Sequence, residues 1–224
     1  MYGIDVSHYQ NPDPEHIPYA KCDFVIVKAS EGVTVDSAAS KHVKNVRDAK
    51  KVLGLYHFYR RDQDFAAQAQ CFLNAAKALG YQVGDIIPAL DIEEHRGLLP
   101  NNGWNHPAEA IAKSFEENFG GCLIYINLRD YHLLGSPEWI RERKLWLAEW
   151  SKDYRPPEKD SNVAIWQHRV APFEYDGEAG AANTYVKIDQ NRMLAKLEDL
   201  QMQGEDEEDD TTEDEPEDPS NKKA

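Results

Sequence analysis

Eight short apolar runs recur along the chain, rich in β-branched and aromatic residues: 2–6 (YGIDV), 24–29 (FVIVKA), 53–58 (LGLYHF), 86–91 (IIPALD), 122–127 (CLIYIN), 144–149 (KLWLAE), 163–167 (VAIWQ) and 185–189 (YVKID). Several are almost continuously apolar, the pattern of parallel strands covered on their outer face. Helical spacing separates the earlier runs. Over 37–51, Ala39, Val43, Val46 and Ala49 share one stripe behind a cap at Asp36 or Ser37. Over 64–79, Phe65, Ala69, Phe72, Leu73, Ala76 and Leu79 do the same, and Gly80 stands where a C′ glycine belongs. Over 107–119, Pro107 occupies the first turn and Ile111, Phe115 and Phe119 point inward.

Beyond 127 the pattern degrades. The joins 129–143, 150–162 and 168–184 read as loops and short turns, and a last helix is predicted over 191–202. The first half is therefore βαβαβα, and the second is strands with irregular connections. An α/β fold closed as a parallel barrel of eight strands is the simplest solution. No internal repeat or linker divides residues 1–203.

Composition changes this picture at the C-terminus. The chain has 224 residues and a formal net charge of −15. Residues 205–218 hold 11 acids and no base, so 204–224 carries −9 of that charge and the body −6. That segment has no apolar residue except Ala224 and cannot offset its ordering entropy. The expected division is a catalytic barrel over 1–203 and a disordered acidic tail over 204–224. The excess of acid excludes a nucleic-acid binder and simple docking on anionic membranes. No run reaches the ~18 apolar residues of a membrane span, so no membrane insertion is expected. The N-terminus lacks the basic start and apolar stretch of a secretory signal. Cys22, Cys71 and Cys122 have no CxxC spacing and are expected as thiols.

Candidate chemistry lies where apolar runs end in acids. Asp5 ends the first run, Asp91 and Glu93 the fourth, and Asp189 the last. In parallel barrels reactive groups sit at the carboxyl ends of strands. Asp91 and Glu93 share a face of an extended segment, their Cα atoms roughly 6.5 Å apart. Carboxylates this close repel when both are ionised, so one pKa rises and the pair holds a proton near neutrality. That suits glycoside cleavage, where the leaving oxygen must be protonated. A solvated strand end and a Mg²⁺ or Ca²⁺ site are the other readings of these acids.

Aromatic residues cluster near the same ends: Tyr56 and Phe58, Tyr125, Trp146, Trp150 and Trp166. Sugar rings stack on such faces. His57, beside them, is a candidate for the same site, as is His8 after Asp5. The histidines lack HExxH spacing, and GxSxG, GxGxxG and GxxxxGK[ST] are absent, so no metal and no nucleotide cofactor is expected.

Taken together, GIDVSHYQ, FVIVKASEG, LYHFYR, PALDIEE, IYIN, LWLAEW, IWQH and VKIDQN resemble, in order and spacing, the glycoside hydrolase family 25 lysozymes. These are the Chalaropsis-type N-acetylmuramidases of bacteria, fungi and phages. The resemblance runs from Tyr2 to about Asn191. It implies a flattened, TIM-like (β/α)5(β)3 barrel that hydrolyses the β-1,4 bond between N-acetylmuramic acid and N-acetylglucosamine in peptidoglycan.

On that resemblance, Glu93 is the general acid. Asp91 assists the substrate 2-acetamido group, Asp5 supports the acid from the floor, and Asp189 is the acid from the last strand. Configuration would be retained through the acetamido group. Tyr56, His57, Phe58, Tyr125, Trp146, Glu149, Trp166 and Gln167 are expected to bind substrate. Departures from the family pattern are NPDPEHIPYAK after the first block, His168, and Gln190–Asn191 in the last.

The expected partner is the peptidoglycan glycan strand, approached by a monomer. A start without a signal resembles a phage endolysin, held in the host cytoplasm before release to the cell wall or periplasm. A catalytically silent peptidoglycan- or chitin-binding module is the alternative.

Overall fold

The computed structural model describes residues 1–13, 16–93, 105–135, 137–150, 162–171, 174–175, 178–179 and 188–204. Eight strands form a closed ring. They are β1 (Tyr2–Val6), β2 (Phe24–Glu31), β3 (Val52–Phe58), β4 (Ala89–Asp91), β5 (Leu123–Asn127), β6 (Leu145–Ala148), β7 (Val163–Ala171) and β8 (Ile188–Met193). Consecutive strands from β1 to β7 pair in parallel. β8 closes the ring between β7 and β1 and runs antiparallel to both.

The direction of β8 corrects the all-parallel expectation. Residues 185–187 lie outside those described, and the strand runs on through Asp189 to Met193 rather than ending at Asp189. Asp189 keeps its end of the barrel nonetheless, because the start of an antiparallel strand lies level with the ends of its parallel neighbours. The predicted helix over 191–202 is also corrected. Residues 191–193 belong to β8, and only Leu197–Asp199 turn, as one 3₁₀ helix. Strand pairing on both edges outweighs the local helical spacing.

Three longer helices cover the outside: α1 (Ala39–Asp48), α2 (Phe65–Ala78) and α3 (Asn105–Phe119). α2 is capped by Asp64, whose carboxylate accepts a hydrogen bond from Ala67 N at 2.8 Å. It is followed by Gly80 in the left-handed region at φ +67°. Phe65 departs from the expected stripe and is exposed. The join 129–143 contains two short helices, α4 (Leu128–Leu133) and α5 (Glu138–Arg141).

Alternation along the strands makes two cores. Outward residues such as Ile4, Val25, Leu53, Leu90 and Ile124 pack against Val43, Phe72 and Phe115 of the helices. Inward residues Phe24, Ile26, Leu123 and Trp146 fill the barrel with Ile86 and Leu200. Gly3 makes room for this filling: a Cβ there would lie 2.5 Å from the Phe24 ring. The chain stays tied to the barrel as far as Met202, through the Ile86–Gln201 bridge and buried Leu200 and Met202. Residues 205–224 lie outside those described. Cys22, Cys71 and Cys122 are free thiols, the first and last buried.

Candidate active site

The inner faces of the strands open into a cleft of about 400 Å³ at the end of the barrel where β1 to β7 finish. Asp5, Asp91, Glu93 and Asp189 all line it, with Tyr56, Phe58, Tyr125, Trp146 and Gln167. Parity explains the set. Asp5 is two residues from the inward Gly3, and Asp91 two from the inward Ala89; Ile92 turns outward into the helix layer. Glu93 follows on the inward side.

Asp5 sits at the centre of a buried polar floor. Its Oδ2 accepts hydrogen bonds from Asn191 Nδ2 at 2.7 Å and from Gln167 Nε2 at 3.0 Å. Asn191 in turn accepts from Trp146 Nε1 at 2.7 Å. Gln167 Oε1 accepts from Tyr125 OH at 3.0 Å and from Trp150 Nε1 at 3.2 Å. This network sets the rotamers of both amides and the tilt of Trp146, which meets Tyr125 and Tyr56 edge-on at 4.6 and 6.0 Å.

The acids strain one another electrostatically, with Glu93 acting on the other three. Burial and then the Asp189 charge push the Asp5 carboxyl well above the ordinary carboxylate range, and the two amide hydrogen bonds oppose that rise. Burial, followed by Glu93, pushes Asp189 up to about 6. Burial raises Asp91 strongly, Glu93 adds to it, and the Lys28 charge opposes it. Asp91 Oδ1 is buried with no hydrogen-bond partner among the described residues. A buried acceptor in that condition is costly unless a ligand satisfies it.

Three expected substrate contacts are not brought into this cleft. His57 lies between the inward Tyr56 and Phe58, so its side chain faces the helices. It is fully buried against Phe72 and Phe115, with Nδ1 2.8 Å from Ser30 Oγ, and burial lowers it to about 4. Trp166 precedes the inward Gln167 and donates its Nε1 to Glu149 O at 3.0 Å. Glu149 follows the inward Ala148, is half-buried, and is not in the lining. His8 sits outside the cleft, its Nδ1 2.6 Å from Asp36 Oδ2.

Two buried groups escaped the sequence reading. Lys28 is 3% exposed and lines the cleft, its ammonium bonded to Glu31 and 5.0 Å from the Phe58 ring centre. The signal was present: Phe24, Ile26 and Lys28 share one strand face, and a lysine on the inward face of a barrel strand demands a partner. Glu31 supplies it. Burial would raise Glu31, but its bonds to Lys28 and Arg60 hold it below the usual range. Asn191 was hidden within a stretch assigned to a helix. Among the described residues, no group of three or more His, Cys, Asp or Glu side chains is placed to hold a metal ion.

Residues 4–172 match the family described as Glycosyl hydrolases family 25. No curated protein matches the sequence significantly. Solved structures share the fold. A family 25 glycosyl hydrolase from Bacillus anthracis is 20% identical with a TM-score of 0.68, covering 89% of this chain and 91% of its own. A lysozyme from Streptomyces coelicolor is 23% identical with a TM-score of 0.68, covering 89% and 94%. The catalytic domain of an endolysin from a bacteriophage of Listeria monocytogenes is 17% identical with a TM-score of 0.67, covering 89% and 96%.

Proposed function

The chain belongs to glycosyl hydrolases family 25, and from that premise we propose that it is a muramidase cutting the β-1,4 bond after N-acetylmuramic acid in peptidoglycan. The observation that carries the reading is the gathering of Asp5, Asp91, Glu93 and Asp189 in one aromatic-walled cleft.

The chemistry follows from the unequal burial of the central pair. Asp91 is 4% exposed, whereas Glu93 is half-buried and nearer solvent. Burial and mutual repulsion disfavour double ionisation, so the pair retains a proton beyond the usual carboxylate range. Glu93 delivers that proton to the leaving glycosidic oxygen as positive charge grows on the sugar ring. The unpartnered Oδ1 of Asp91 accepts the N–H of the substrate 2-acetamido group. That contact turns the acetamido oxygen toward the anomeric carbon, where it attacks from the opposite face. Glu93, now a carboxylate, removes a proton from the water that opens the resulting ring, and configuration is retained.

Asp189, ionised above about pH 6, keeps the floor of the cleft negative and favours the cationic transition state over the neutral substrate, while Asp5 anchors the amides of Asn191 and Gln167 beneath it. The rings of Tyr56, Phe58 and Tyr125 supply apolar faces for the sugars. The setting proposed is the bacterial cell wall or periplasm, where that polymer lies; a role in phage-driven host lysis rests on the sequence resemblance.

Mass spectrometry of digests of purified peptidoglycan tests the bond assignment. New reducing ends on muramic acid are expected. Reducing ends on glucosamine, or none, would contradict it.

A further inference from the structure

A second cavity of about 570 Å³ lies beside the cleft and shares Tyr9, Glu31 and Arg60 with it. Glu31 is the dividing wall. One carboxylate oxygen is bonded to Lys28 in the cleft, and the other accepts from Arg60 Nε at 2.9 Å.

The cavity is built firmly. Thr34 and Val35 fold back on the end of β2, pairing with Glu31 and Ser30. Val33 N donates to Gln63 Oε1 at 2.8 Å, and a Cβ at Gly32 would collide with that oxygen. Across the opening, Asp36 Oδ2 accepts from His8 N at 3.2 Å and meets His8 Nδ1 at 2.6 Å, while its Oδ1 accepts from Ala38 N at 2.9 Å. That brace presents the neighbouring Tyr9, 79% exposed, on the rim between the two cavities.

The chemistry of the walls differs between the two. The cleft offers aromatic faces suited to sugar rings. The second cavity has the exposed Asp62 beyond the shared Glu31 and Arg60, and so presents both charge signs, while Asp36 is buried and taken up by His8 and Ala38. Glycan sugars whose lactyl carboxyl is amidated are neutral and gain little from such a lining. The branch borne by each muramic acid is different: a short peptide with free carboxylates and, where uncrosslinked, a free side-chain ammonium. A guanidinium beside carboxylates complements a zwitterion of that kind. We infer that the second cavity seats the peptide stem of a muramic acid whose sugar occupies the adjoining cleft.

This inference rests on the muramidase reading and deepens it. Thr34 and Asp62 line the second cavity and not the cleft. Thr34 is exposed, so Thr34→Trp fills the cavity without touching the core, and Asp62→Lys reverses a wall charge. Each variant and the unmodified protein are assayed on stem-bearing peptidoglycan and on the same strands after an amidase has removed the stems. The expected result is a loss of about tenfold in kcat/KM on stem-bearing strands, with stripped strands cut within about twofold of the unmodified rate. Equal loss on both substrates makes the cavity a further sugar subsite and overturns the inference, as does no loss on either. Titration with a free muramyl tripeptide decides the matter without turnover. Binding weakened about tenfold by Thr34→Trp supports the inference, and unchanged binding overturns it even if neither polymer is cut. Failure of the unmodified protein to cut either polymer counts against the muramidase reading instead.

Discussion

Asp5 and Asp189 face each other as paired residues of the antiparallel β1–β8 ladder. Directly opposed side chains in such a ladder lie close, and like charges there are destabilising. β8 runs against its neighbours, and its first residues set Asp189 beside Asp5, two acids distant in sequence, at one barrel mouth.

A stability signature follows. Burial, and then the nearby Glu93 charge, push Asp189 up to about 6 in the folded protein, above the ordinary carboxylate value. Its stabilising protonated form is fully present below about pH 4 and lost as pH rises through 6. Asp189→Asn is therefore expected to gain about 1–2 kcal/mol at pH 7, or roughly 3–6 °C in Tm, and nothing at pH 4. Thermal melts at the two pH values check this. A variant less stable than the parent at pH 7 would show that the buried Asp189 charge is not a cost.

Lys28 is expected to govern where the central pair gives up its proton. Its charge opposes the rise of Asp91. In Lys28→Met that opposition is gone, so the pair holds its proton to higher pH. The alkaline limb of the pH–activity profile should move up by about one unit. A limb that stays in place or moves down would remove Lys28 from the electrostatics of the pair.

Asn191 joins Asp5 to Trp146, and its loss leaves the buried Trp146 indole N–H without its acceptor and Asp5 with Gln167 alone. Asn191→Ala is expected to cost about 2–3 kcal/mol by denaturant unfolding. Turnover should fall by about tenfold or more, because the floor acid loses one of the two hydrogen bonds that hold it in place. Unfolding at the parent's midpoint would contradict the role given to this network.

Much of this architecture was readable from alternation. The eight runs fall on the eight strands, and acids at run ends mark the mouth of the barrel. The same alternation assigns His57, Glu149 and Trp166 to the wrong face for the cleft, since each neighbours an inward residue by one position. Proximity in sequence to a site is not membership of it when the side-chain period is two. Lys28 was legible by the same rule, from its place after Phe24 and Ile26.

The direction of β8 was not legible. A short strand behind an irregular connection carries no local mark of its sense, and helical spacing over 191–202 competes with it. Pairing with β1 on one edge and β7 on the other decides the outcome, and those partners are distant in sequence. Asn191 was lost with the strand, and with it the hydrogen-bonded floor beneath Asp5.

In the proposed reaction Glu93 supplies the proton for glycoside cleavage. The most direct measurement is release of muramic acid reducing ends from purified peptidoglycan by Glu93→Gln, beside the parent protein and with matched melting curves. The amide keeps the shape of the side chain and cannot donate a proton as an acid does. A fall of about a hundredfold or more at unchanged stability is expected; near-parental release from a folded variant would contradict the role of Glu93 as proton donor.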